Sequence, residues 1–148
     1  MANVERVAFT DADVMPVVQA VAGGADWVNL DPDVDDDDLP PPRGALGALF
    51  SGRGRDIPRA TWVGATPKDS ASVGVEHGAG RRVRDVMGEL GLALPSAWTI
   101  IQDHPRRGFV AAVPQDDLVT TFEWLLAAAT ALSSVPLTGR WQAEVHRR

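Results

Sequence analysis

Thr61-Trp62-Val63-Gly64-Ala65, the turn Thr66-Pro67-Lys68-Asp69, and then Ser72-Val73-Gly74-Val75-Glu76-His77 form the most regular stretch of this chain. Two runs of β-branched and apolar residues on either side of a polar, proline-bearing turn read as a β-hairpin. A helix is expected to follow from about Arg81 to Leu90, before Gly91. The order then recurs. Ala97-Trp98-Thr99-Ile100-Ile101-Gln102 and Gly108-Phe109-Val110-Ala111-Ala112-Val113 flank Asp103-His104-Pro105-Arg106-Arg107, and a helix is expected over 117–133. The tryptophans Trp62 and Trp98, the turn prolines Pro67 and Pro105 and the two helix starts recur at a spacing of about 36 residues, within the range of internal repeats. A degenerate ββα duplication is one reading of this recurrence; the other is a chance succession of hairpins and helices, since the two halves share little identity.

Working outward, Thr10-Asp11 caps a predicted helix that ends at Gly23-Gly24, with Val14, Val17, Val18 and Val21 spaced for one face. Pro16 implies that this helix is kinked or starts late. Asp26-Trp27-Val28-Asn29-Leu30 alternates like a strand, with Trp27 and Leu30 read as turned inward. The last helix carries Leu118, Phe122, Leu125, Leu126, Ala129 and Leu132 on one side and little that is polar on the other, so burial on more than one face is expected. Arg140-Trp141-Gln142-Ala143-Glu144-Val145-His146 closes the chain as an alternating strand, with Trp141, Ala143 and Val145 inward and Glu144 and His146 together on the opposite face. The five tryptophans fall on predicted elements and are read as core anchors, because each buries about 200 Å².

These elements predict a single α+β domain over residues 1–148, with a mainly antiparallel sheet of five or six strands and helices on one face. The order up to the last helix resembles that of type III secretion chaperone-like domains, which bind other proteins; the resemblance is one of element order without a shared motif, and it bears on the fold alone.

Composition narrows the function classes. The chain has 148 residues and no cysteine, which excludes disulfides, thiolate metal sites and a cysteine nucleophile, and fits a cytoplasmic setting. The N-terminal residues lack a basic segment followed by an apolar core, so no signal peptide is expected, and no apolar run approaches the ~20 residues of a membrane span. Net charge is −6. Residues 1–40 hold ten acids and one base, whereas the remainder holds ten acids and thirteen bases. So acidic a chain is a poor general nucleic-acid binder, though a local basic face is compatible with it.

Much of the acid lies in residues 31–60, an arm rich in aspartate, proline and glycine that interrupts the pattern. Asp31, Asp33 and Asp35 match the alternating start of a calcium loop, but Asp36 stands where glycine is required and Pro42 where the bidentate glutamate belongs. An extended, solvated segment is expected, with Leu46, Leu49 and Phe50 available to pin it to the body. A sharper expectation is electrostatic: the arm folds over Arg81, Arg82, Arg106 and Arg107.

Two stretches suggest a site. In Glu76-His77-Gly78-Ala79-Gly80-Arg81-Arg82 a strand ends, glycines free the backbone and a helix begins beside arginines, which is how anions are commonly bound. The stretch is neither a Walker loop nor a full dinucleotide fingerprint. Asp103-His104-Pro105-Arg106-Arg107 adds a second basic spot, where Asp103 is placed to orient His104. The candidate anion-binding set is thus His77, Gly78, Gly80, Arg81, Arg82, His104, Arg106 and Arg107. No GxSxG or HExxH motif occurs, and no catalytic set, metal site or cofactor is assigned. The expected function is a non-catalytic protein-binding module, with a protein partner or a second copy. The alternative is a binding protein or enzyme for a small anion of phosphate or nucleotide type.

Overall fold

The computed structural model describes residues 3–39 and 56–148. Strand β1 (Asn3–Thr10) leads into helix α1 (Met15–Ala22) and strand β2 (Trp27–Pro32). Strands β3 (Arg59–Val63) and β4 (Ser72–Glu76) precede helix α2 (Val83–Glu89). Strands β5 (Thr99–His104) and β6 (Gly108–Ala112), helix α3 (Leu118–Leu132) and strand β7 (Arg140–Arg147) complete the order. Among the described residues seven strands form one open antiparallel sheet, ordered β1-β7-β2-β3-β4-β6-β5.

The expected strand number was too low because β1 has no strong pattern of its own. All eight of its residues find partners on β7, from Asn3 opposite Arg147 to Thr10 opposite Arg140. A contact between the two ends of the chain leaves little trace in local alternation. The ββα duplication is not confirmed either. The α2 helix has seven residues against fifteen in α3, and the β5–β6 pair carries a bulge that the β3–β4 pair lacks.

Period two along each strand puts one apolar row on one face. Trp141, Ala143 and Val145 of β7 lie beside Val28 and Leu30 of β2, followed by Ala60 and Trp62, Val73 and Val75, and Phe109 and Ala111, all buried. The helices cover this face. Val17, Val18 and Val21 of α1 are buried, as are Phe122, Leu125, Leu126 and Ala129 of α3. At about 1.5–3 kcal/mol for each fully buried large aliphatic or aromatic side chain, this layer supplies the main drive to fold. Helix α1 does start late: Asp13 accepts from the Met15 N–H and Pro16 occupies the first turn, where no amide is required. Helix α3 is capped by Asp117, whose Oδ1 accepts from the Thr120 N–H.

Trp27 is the exception among the expected anchors. It shares a face with Asn29 and Asp31, so it stands on the side away from the helices and stacks on His146 with ring centroids 4.5 Å apart. Val28 and Leu30 take the core positions instead. Trp62, Trp124 and Trp141 are buried, while Trp98 is half-buried with its ring edge-on to Trp124.

Of the expected arm, residues 31–32 belong to β2 and 59–60 to β3, and Asp36–Asp38 form a short 3-10 turn. Leu46, Leu49 and Phe50 lie outside the described residues. No described helix is long and apolar enough to cross a membrane.

Candidate functional site

The structure brings the two glycine- and arginine-bearing stretches together. Each follows or precedes a strand at the same end of the sheet, and the Gly80 N–H donates to the Pro105 carbonyl at 3.2 Å. Gly80 makes this turn with φ +73°, a conformation other residues rarely adopt. Gly108, at φ +96°, closes the β5–β6 turn, where a Cβ would come within 2.7 Å of the Val75 carbonyl oxygen.

Several of the groups expected to receive an anion already have partners in the chain. Asp103 Oδ1 accepts from the Val83 N–H at 2.8 Å and Oδ2 from the Arg84 N–H at 3.1 Å, so the first amides of α2 are capped by a carboxylate from β5. Asp103 therefore holds a helix rather than His104. His104 stabilises its own turn, with Nδ1 accepting from the backbone N–H of Arg106 and of Arg107. Arg81 forms a bidentate pair with Glu89 one helix length away, and that pairing holds the Glu89 carboxyl below its usual range.

His77 is buried at 1% exposure. Its Nδ1 accepts from the Ala79 N–H, and Nε2 has no partner among the described residues. Burial lowers its pKa, against an opposing attraction from Asp103, so the ring is held neutral. Gly78 is half-buried beside it. His146 sits at the opposite end of the sheet, against Trp27, so the three histidines do not meet. Among the described residues no group of three histidine, aspartate or glutamate side chains could hold a metal ion.

What remains at this corner is four exposed guanidiniums, those of Arg82, Arg84, Arg106 and Arg107, without an ion pair among the described residues. Arg107 also borders a shallow depression of ≈ 370 Å³ on the sheet face away from the helices. Gly74 forms its floor, since the missing side chain lies between Thr61 on β3 and Val110 on β6. Further along that face the polar groups satisfy one another. Arg59 grips Asp31 through two bonds of 2.8 and 3.0 Å and lies 3.9 Å from Glu144, which also approaches Arg6.

The feature that sequence reasoning missed is the outer side of β5. This strand ends the sheet, and its register with β6 slips between Ile100 and Gln102, leaving Ile101 as a bulged, unpaired residue. Ile101 is 65% exposed and Ile100 37%. Leu90 and Leu92, on the turn leaving α2, are 57% and 44% exposed. Helix α2 packs against β5, its first amides held by Asp103 near the end of that strand. The Leu92 carbonyl accepts from Trp124 Nε1, and the Trp124 ring meets Trp98, which leads into Thr99 and Ile100. Leu90, Leu92, Ile100 and Ile101 are thus four exposed aliphatic residues of β5 and of the turn that leaves α2. The arginine corner stands at the end of β5. The signal available in the sequence was only Leu90-Gly91-Leu92 beside Ile100-Ile101, which reads equally well as core.

No protein-family model matches this chain, and no curated protein or solved structure matches it.

Proposed function

We propose that the protein is a non-catalytic interaction module that receives a partner polypeptide along the outer side of β5. The observation that carries this is the exposure of Leu90, Leu92, Ile100 and Ile101 at a bulged sheet edge. Single exposed aliphatic residues are ordinary on a soluble surface, whereas several on one edge strand and the turn of the helix packed against it support an interaction site. The bulge breaks the ladder at Ile101, so recognition there proceeds through side chains rather than through simple addition of a strand. Nothing among the described groups assembles a nucleophile, base and oxyanion site: His77 is buried, and His104 and Asp103 are committed to a turn and a helix cap.

A photo-crosslinking residue at position 101, introduced into the protein in its own cell, tests this. A discrete protein adduct is expected from position 101, lost when Leu92→Ser is added and absent from the exposed Val4 on the opposite edge. Equal labelling at both positions, or none at either, would overturn the reading.

A second reading, binding of a small anion, is favoured by the contact between Gly80 and Pro105 that gathers the arginines. Because Arg81 is paired with Glu89, the diagnostic residues become Arg106 and Arg107. A thermal shift with a phosphate compound, abolished by R106Q/R107Q, would support it; flat responses across nucleotides and phosphates would remove it.

A further inference from the structure

We infer that the segment received along β5 is an acidic, leucine-bearing stretch of another protein, its carboxylates at the arginine corner and its aliphatic side chains on the exposed Leu90, Leu92, Ile100 and Ile101. This rests on the docking reading above and adds the chemistry of the partner. The strand changes character along its length. Its start carries Ile100 and Ile101, without a charge until Asp103. Beyond its end stand Arg82, Arg84, Arg106 and Arg107, exposed and unpaired among the described residues. From Ile101 to Arg106 an extended chain advances about 3.3 Å per residue, so a segment of roughly five residues reaches from one patch to the other.

The local charge balance decides what such a segment should carry. Glu76 and Asp85 lie close to the arginines and reduce the net field, while Asp103 is held on the α2 amides and Glu89 on Arg81. What distinguishes the corner is therefore a set of unpaired guanidinium forks, suited to bidentate grip of carboxylates, more than a strong long-range potential. The acidic turn Asp36–Asp38 leaves the same end of the sheet, but from β2, four strands away from β5. At about 4.8 Å per strand that is roughly 19 Å, more than twice the screening length of about 8 Å at physiological salt. The turn does not cancel the corner.

The test uses the full chain and three short fluorescent peptides: a run of glutamates beside a run of leucines, the same peptide with glutamines for glutamates, and the same with serines for leucines. Anisotropy at low salt should show the first binding about tenfold more tightly than either control, a difference of about 1.4 kcal/mol. R106Q/R107Q should abolish the preference over the glutamine peptide and keep that over the serine peptide. Ile101→Ser should do the reverse, and molar salt should erase only the charge preference. Both variants alter exposed side chains, so melting temperatures within a degree or two of the parent keep the comparison clean.

Equal binding of the glutamate and glutamine peptides overturns the inference while leaving the docking reading in place. Binding indifferent to both variants overturns both. Full displacement by inorganic pyrophosphate, unaffected by Ile101→Ser, would assign the corner to a small anion and overturn the inference. So would sedimentation showing that a second copy of the chain occupies β5 and excludes the peptides.

Discussion

Among the described residues strands β1 and β5 each pair on one side only, and the two edges are protected by different means. Along β1 all eight residues pair in register with β7, and the edge carries charges tied back into the sheet: Glu5 to Arg147 at 2.7 Å, and Arg6 towards Glu144. A further strand arriving there would have to displace or bury those groups. Strand β5 has no such charges over 99–102, but its ladder is broken at Ile101. The bulge guards the backbone and leaves the side chains available. One edge therefore carries charges tied back into the sheet, and the other a broken ladder with exposed aliphatic side chains.

If β1 is structural in this sense, damage there should be the costliest. Phe9 is 6% exposed and lies opposite Trp141 on the helix-covered face. Phe9→Ala should destabilise the fold by about 3–5 kcal/mol, read as a fall in the urea midpoint at constant slope. A loss below about 1 kcal/mol would mean that β1 is peripheral, and the contrast between the edges would fail.

The β5 edge should respond more locally. Asp103→Ala removes the carboxylate that caps α2, a loss of about 1–2 kcal/mol. Faster amide exchange should appear in α2 and β5 and not in β1 and β7. Asp103→Asn, which retains an acceptor, should cost less. Uniform acceleration throughout the sheet would show that the two edges unfold together.

Acidity probes the same region through His77. Its folded pKa is depressed by burial, so the unfolded chain binds the proton more readily. Stability from this group is complete above the unfolded value of about 6.5 and falls as pH drops below it, towards the folded value. The exposed carboxylates whose pKa is lowered, Asp33, Glu89 and Asp117, titrate below the ordinary carboxylate range and contribute only at lower pH. Urea midpoints just above and below pH ~6 should therefore differ in the parent and converge in His77→Gln. An unchanged slope in the variant would remove His77 as the cause.

Much of the sheet was legible because alternation survives wherever one face is buried. The pattern of β7 placed Trp141, Ala143 and Val145 inward, and Glu144 and His146 outward, as they stand. In β2 the same rule was available: residues three apart fall on opposite faces, so Trp27 and Leu30 could not both turn inward, and the small run of Val28 and Leu30 took the core. The site was harder to read because its decisive partners are distant in sequence. Asp103 reaches the amides of Val83 and Arg84, and this turns a helix start that looks ready for an external anion into one that is already capped. The exposure of Ile101 depends on a register slip against β6, which no local pattern of Thr99-Ile100-Ile101-Gln102 encodes.

The smallest expected change in stability carries the comparison furthest. Ile101 is 65% exposed and unpaired in the ladder, so Ile101→Ser should alter stability by no more than about 0.5 kcal/mol. Val4 on β1 is 46% exposed, and Val4→Ser should be similarly mild. In stability the two edges then look alike. They should part in recognition: the leucine-dependent peptide binding should vanish with Ile101→Ser and persist with Val4→Ser. Were Ile101→Ser to cost several kcal/mol instead, the aliphatic residues on β5 would be part of the fold's own packing. The bulge would then serve only to shape the sheet, and the difference between the edges would be one of geometry alone.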